Sequence, residues 1–133
     1  MEVNGYKIEP GADLTGADLS RMNFTGVDLS RTNLSGANLT QATLTKADLS
    51  QAVLNGANLT GANLQETTFI GAELARADLE QTNLQEATLM GTNLMGANLI
   101  EANLAGANLF RTNLFRTTLA GANLQQATLQ QAT

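Results

Sequence analysis

GANLTGANLQ, residues 56–65, writes one five-residue phrase twice. Leu59 and Leu64 stand fourth in each phrase, with Ala57 and Ala62 two residues before them and an asparagine between. Outward from this stretch the register never breaks. Leucine or phenylalanine occupies every fifth position from Leu14 to Leu129, with phenylalanine only at Phe24 and Phe69. The position two residues earlier is small, usually alanine and sometimes threonine, with Met22 and Val27 as the larger exceptions. Asparagine or aspartate lies between them in most repeats, and a variable residue followed often by glycine comes after the leucine. A fixed internal period of this kind marks a repeat architecture.

The period excludes both regular elements. On an α-helix, residues five apart are rotated by about 140°, so the leucines would scatter around the axis without forming a stripe. On a straight strand side chains alternate, and an odd period sends successive leucines to opposite faces. A short extended piece does put the small residue and the leucine on one face, with Asn or Asp pointing out. Bringing the next leucine inward requires a corner in the remaining residues. A chain that turns once per repeat winds into a coil, and each coil buries its leucines against the next at roughly 1.5–3 kcal/mol per side chain. Glycines after the leucine, such as Gly16, Gly36 and Gly56, ease the corner backbone. Threonines at the inward position, such as Thr32, Thr82 and Thr112, are expected to return their hydroxyls to backbone carbonyls.

The number of corners per coil is indicated by the outward residue after the leucine. Ile70, Met90 and Phe110 are spaced by 20, as are Met95 and Phe115, so four repeats per coil would stack each set in a column. The motif A-[DN]-L-x-x resembles the pentapeptide repeat family over residues 12–133. The resemblance implies an all-β fold, a right-handed quadrilateral parallel β-helix (β-solenoid) of about six coils with four pentapeptides each. Leu14, Leu34, Leu54, Leu74, Leu94 and Leu114 would then form one of four internal ladders. The family includes proteins that mimic DNA in shape and charge and act on DNA gyrase. Residues 1–11 precede the register and read as an N-terminal cap or lead-in. There Val3–Tyr6 suits a small turn, Tyr6 and Ile8 suit a cover for the first coil, and Pro10–Gly11 starts the coil. At the other end the repeat stops at QQAT, with no amphipathic helix to cover the last ladders.

Composition narrows the chemistry. The chain of 133 residues has 12 acidic and 7 basic side chains, a net charge of −5, and no His, Cys or Trp. It therefore lacks the basic face of a nucleic-acid binder, thiolates and Cys zinc ligands, and the commonest general base. MEVNGYKIEP has neither the basic n-region nor the apolar core of a signal peptide, and no apolar run approaches the roughly 18 residues of a membrane span. The expectation is a soluble, cytoplasmic chain with no cofactor, no metal, no direct nucleic-acid binding and no membrane contact.

Each candidate site has a competing structural explanation. Asp28 and Asp48 should stack one coil apart, as should Glu66 and Glu86 with Lys46 beside Glu66. On flat outer faces these carboxylates read as solvated surface with little to perturb them, and none has a nucleophile beside it. Asn63, Asn83, Asn103 and Asn123 would share one face, where side-chain amides ladder. Thr43 and Thr45 flank Leu44, but Asn63 and Gln65 follow one coil on, so no regular threonine array for ice binding is present. The outward apolar group Ile70, Met90, Met95, Ile100, Phe110 and Phe115 is the feature that needs a function, because a concentrated apolar patch marks an interface. The resulting expectation is a non-enzymatic structural or protein-interaction module, a rod whose C-terminal half forms a homodimer or binds a protein partner, with Phe110 and Phe115 as anchors. The alternative is a DNA-mimic modulator of a DNA-binding enzyme such as DNA gyrase. Its acids are sparse, however, and Arg21, Arg31, Arg76, Arg111 and Arg116 are interspersed among them.

Overall fold

The computed structural model describes residues Met1–Thr133. From Ala12 onward the chain winds as a parallel β-helix. Every bridge joins a residue to the one 20 later in parallel orientation, from Asp13↔Asn33 through Asn108↔Thr128. Four pentapeptides therefore make one coil, and the register accommodates six coils. At the usual strand spacing of about 4.8 Å, six coils make a rod roughly 29 Å long. The winding is right-handed, the hand that parallel β connections favour.

One repeat shows why this sequence closes a corner every five residues. Leu34 donates its N–H to Val53 O at 2.6 Å and Gly36 to Asn55 O at 3.0 Å, both on the following coil, while Asn38 donates to Ala17 O at 2.9 Å on the preceding one. Ala37 donates to Leu34 O at 3.0 Å across the corner. Gly36 has φ 64° and Ser35 is not among the left-handed residues, so Leu34–Ala37 is a type II turn. The remaining N–H, on Ser35, donates to Asn33 Oδ1 at 3.1 Å. All five donors of the repeat are thus used, as burial beside an apolar core demands. The same left-handed corner recurs where the residue is not glycine, for example at Arg21 (φ 59°), Gln41 (φ 57°) and Arg76 (φ 58°). The left-handed conformation costs a residue with a Cβ about 1–2 kcal/mol, and the turn and ladder bonds on either side hold it there.

Inside, the leucine ladders are closed. Leu34, Leu54, Leu74 and Leu94 are fully buried, with Ala37, Ala57, Ala77 and Ala97 packed beside them. Inward threonines satisfy their hydroxyls on carbonyls: Thr32 on Leu29 at 2.7 Å, Thr82 on Leu79 at 2.7 Å, and Thr112 on Leu89 at 2.6 Å. Thr112 reaches the preceding coil, whereas Thr32 and Thr82 bond within their own corner. No buried side-chain N or O atom lacks a partner.

Ahead of the first coil, β1 (Glu2–Val3) and β2 (Tyr6–Lys7) pair antiparallel. Asn4 (φ 51°) and Gly5 (φ 81°) both lie in the left-handed region, the requirement of a type I′ hairpin turn. Asn4 Nδ2 donates to Asp18 O at 2.9 Å. Ile8 is buried in the core cluster, and Val3, Tyr6, Met22 and Val27 pack against it. The first-coil side chains Leu14, Leu19, Phe24 and Leu29 are consequently buried, whereas Leu114, Leu119 and Leu124 in the sixth coil are half-buried and Leu129 is exposed.

Candidate interaction surface

The coil places the outward residues in four columns beside four corners. Ile70, Met90 and Phe110 stack beside one corner, and Met95 and Phe115 stack beside the adjacent one. Ile70, Met95 and Phe115 are 40%, 39% and 57% exposed. Met90, Ile100 and Phe110 are only half-buried, not freely exposed. Met90 lies between Ile70 and Phe110 in its column, and the Arg111 guanidinium lies over the Phe110 ring. Ile100 belongs to the following corner, between Glu80 and Ala120, and stands apart from the other five.

The surface is not purely apolar. The Arg111 guanidinium sits 5.1 Å from the Phe110 ring centroid and that of Arg116 sits 5.1 Å from Phe115, within cation–π range. Arg76, Met95, Gly96, Phe115 and Arg116 line an open cleft of about 280 Å³. These arginines were missed as a group by the sequence reading. The signal was present: Arg76 and Arg116 are 40 residues apart, two coils on the same corner, with Gly96 between them.

The other candidates resolve into structural features. Asp28 and Asp48 are bridge partners one coil apart, and Lys46 Nζ lies 3.7 Å from Glu66. No group of three or more His, Cys, Asp or Glu side chains gathers as a metal site would. Some of the carboxylates are more perturbed than flat solvated faces would predict. Asp13, Asp18 and Asp28 are held below the usual aspartate pKa, chiefly by hydrogen bonds from Thr15, Ser20 and Ser30 respectively. The cause is a local Asx turn: Asp13 Oδ1 accepts from Thr15 N–H at 3.1 Å and from its hydroxyl at 2.6 Å. Asn83 donates to Asn63 and Asn123 to Asn103, each at 3.3 Å, so the asparagine row ladders in pairs. Thr43 is bridged to Asn63, and no threonine array forms.

Comparison with known proteins follows the same lines. The family model described as "Pentapeptide repeats" matches residues 11–41, 32–71, 72–109 and 92–131. No curated protein matches the chain by sequence. Among solved structures, a trypsin-treated variant of QnrB1, a plasmid-mediated fluoroquinolone resistance protein, superposes with a TM-score of 0.75 at 19% identity, covering 98% of this chain and 68% of that one. A second trypsin-treated QnrB1 variant gives 0.72 at 19% identity, with 86% and 68% coverage. A pentapeptide repeat protein, Rfr23, from the cyanobacterium Cyanothece 51142 is 36% identical over 89% of this chain and 88% of that one, with a TM-score of 0.40. No helix is long and apolar enough to cross a membrane.

Proposed function

From the premise that this chain belongs to the pentapeptide repeat family, we propose that it is a non-enzymatic interaction module: a rigid rod that presents a protein-contact surface on two adjacent corners of its C-terminal half. The observation that carries this reading is the alignment of exposed Ile70, Met95 and Phe115 with the aromatic–arginine pairs Phe110–Arg111 and Phe115–Arg116. Aromatic residues, methionine and arginine are the side chains enriched at protein interfaces. A contiguous apolar area on an otherwise polar rod has few other uses.

The occupant is either a second copy or a different protein. Sedimentation velocity at tens of micromolar, on the wild type and on Phe110→Ser/Phe115→Ser, separates the cases. Self-association through this surface gives a wild-type oligomer and a monomeric variant that keeps its β signal, since neither ring belongs to an internal ladder. A monomeric wild type assigns the surface to a different protein. An oligomer that persists in the variant places the contact elsewhere and overturns the assignment.

DNA mimicry is the second reading. QnrB1 shares the fold at 19% identity, which supports likeness of shape alone. Mimicry calls for negative charge at DNA-like density, about one per 1.7 Å of axis, whereas the corner positions here mix Arg21, Arg31 and Arg76 with Glu66, Glu86 and Glu101. Inhibition of DNA gyrase supercoiling by the purified protein at micromolar concentration would favour mimicry over the contact surface.

A further inference from the structure

We propose that the cleft between Arg76 and Arg116 is a docking site for an extended acidic peptide segment of a partner protein, which sets a carboxylate between the two guanidiniums and an apolar side chain on Met95 and Phe115. The inference rests on the contact surface described above and names its occupant.

The placement of charge comes first. After Lys46, the chain's cations are Arg76, Arg111 and Arg116, and all three stand on the two adjacent corners that carry the exposed apolar residues. None is neutralised within the chain, whose ion pairs are Lys7–Glu9 and Lys46–Glu66. Arg111 Nε is engaged by Gln131 Oε1 at 2.8 Å, whereas no hydrogen bond from the Arg76 or Arg116 guanidinium is made. On the face between these corners the carboxylate of the C-terminal half is Glu73, already taken by the Asn93 amide at 2.8 Å. Beside Arg76 on the next face, Asp78 accepts from the Glu80 N–H at 3.1 Å and from Asn98 at 3.2 Å. Arg76 and Arg116, at the apolar cleft, thus have neither an ion pair nor a side-chain hydrogen bond within the chain.

The backbone shapes the cleft. Arg76 and Arg116 are two coil heights apart, about 10 Å, with Gly96 between them in the same corner column. A Cβ on Gly96 would stand 3.2 Å from Arg76 Cγ. The Arg76 stem therefore runs across Gly96 toward Arg116, and the missing side chain is what opens the gap. The Arg116 guanidinium sits 5.1 Å from the Phe115 ring centroid and makes no side-chain hydrogen bond, so its donors are available to a carboxylate, which guanidinium binds in bidentate fashion.

Charge complementarity also selects among occupants. A two-fold axis along the rod that pairs this face with itself sets Arg111 of one copy against Arg116 of the other. A two-fold across the rod centred on Gly96 sets Arg76 against Arg116. Full self-overlap of the patch thus places like charges together in either arrangement. A lipid surface would call for a broad basic field, whereas here the site is a cleft lined by two arginines, Arg76 and Arg116. An acidic segment with alternating apolar residues matches both the guanidiniums and the floor.

The test is an NMR titration of the full chain, following the Met95 methyl and the Arg116 Nε–H. The probe is the capped hexapeptide Glu-Leu-Glu-Leu-Glu-Leu, with Gln-Leu and Lys-Leu hexapeptides as controls. The expected result is a saturable shift with the Glu-Leu peptide, at least about tenfold weaker binding of the Gln-Leu peptide, and none of the Lys-Leu peptide. Arg76→Gln/Arg116→Gln abolishes the response, Gly96→Ala weakens it, and Arg21→Gln/Arg31→Gln leaves it intact. Equal binding of the neutral peptide, persistence in Arg76→Gln/Arg116→Gln, or no shift at millimolar peptide overturns the proposal. So does co-sedimentation with phosphatidylserine vesicles in place of peptide binding, which would make the site a membrane contact. An oligomer that dissociates in Phe110→Ser/Phe115→Ser while Met95 ignores the peptide upholds the contact surface and removes the acidic occupant. An oligomer that persists in Phe110→Ser/Phe115→Ser, together with no response of Met95 to the peptide, removes the surface itself.

Discussion

Asn58 shows how much one residue does in this coil. Its N–H donates to Ala37 O at 3.0 Å and its carbonyl accepts from Leu39 at 2.7 Å, tying it to the coil before. Its Oδ1 accepts from the Thr60 N–H at 3.0 Å and from the Thr60 hydroxyl at 2.7 Å. The Thr60 N–H faces no ladder carbonyl, so the side chain supplies what the sheet cannot. Asn58→Ala is therefore expected to lose about 1–2 kcal/mol in urea denaturation, while Asn58→Asp, which keeps the acceptor, stays near wild type. Equal midpoints for all three would show that the Asx turn contributes nothing. The inward placement of Leu59 and Ala57 was legible from the period of five alone. The duty of Asn58 was not, because periodicity gives a side chain's direction but not which backbone donor the ladder leaves unpaired. The same applies to Gln41 and Arg76: nothing in their chemistry announces a left-handed corner, which neighbouring coils enforce on them.

The first coil and its hairpin form the element where acid should act. Asp13, Asp18 and Asp28 all lie there, each held below the ordinary value of 3.8, mainly by hydrogen bonds from Thr15, Ser20 and Ser30. A carboxylate whose folded pKa is depressed adds stability that is fully present above its unfolded pKa. That stability is lost as pH falls through the folded value, so the window opens below pH 3.8 and extends downward. Amide exchange of Thr15, Ser20 and Ser30 is expected to rise in that window ahead of Thr60, whose acceptor Asn58 does not titrate. Replacing the three aspartates by asparagine should flatten the difference. An unchanged difference would mean that the Asx carboxylates do not couple to folding. A small turn was readable at Val3–Tyr6, and the structure makes it the Asn4–Gly5 turn of a two-stranded hairpin. The four-sided coil followed from the resemblance to the pentapeptide repeat family, with the spacing of 20 in support. The half-burial of Met90 and Phe110 was not readable, because the outward position gives a side chain's direction and not what lies over it, as the Arg111 guanidinium lies over Phe110.

At the scale of the whole molecule, the contact surface is assembled from residues dozens of positions apart that only the winding brings together. Five of its six apolar members were visible as two columns in the sequence, with Ile100 one corner further round. Arg76 and Arg116 became part of it only when a third dimension joined positions 40 apart. That winding has a further consequence. Because every bridge spans 20 residues, position along the chain acts as a compass bearing: the remainder after division by 20 fixes which way a side chain faces, and the quotient fixes how far along the rod it stands. Removing residues 52–56 keeps every leucine inward but swings all that follows by a quarter-turn relative to the N-terminal hairpin. Removing residues 37–56 restores the bearing and shortens the reach by about 5 Å. Both deletions are expected to fold cooperatively by circular dichroism and to retain the cleft, whereas removing residues 53–56 should not fold. If that four-residue deletion melts like the other two, the pentapeptide is not the unit of rotation. Length and aim are thus separately adjustable in this molecule, and whole pentapeptides can redirect its contact surface without altering it.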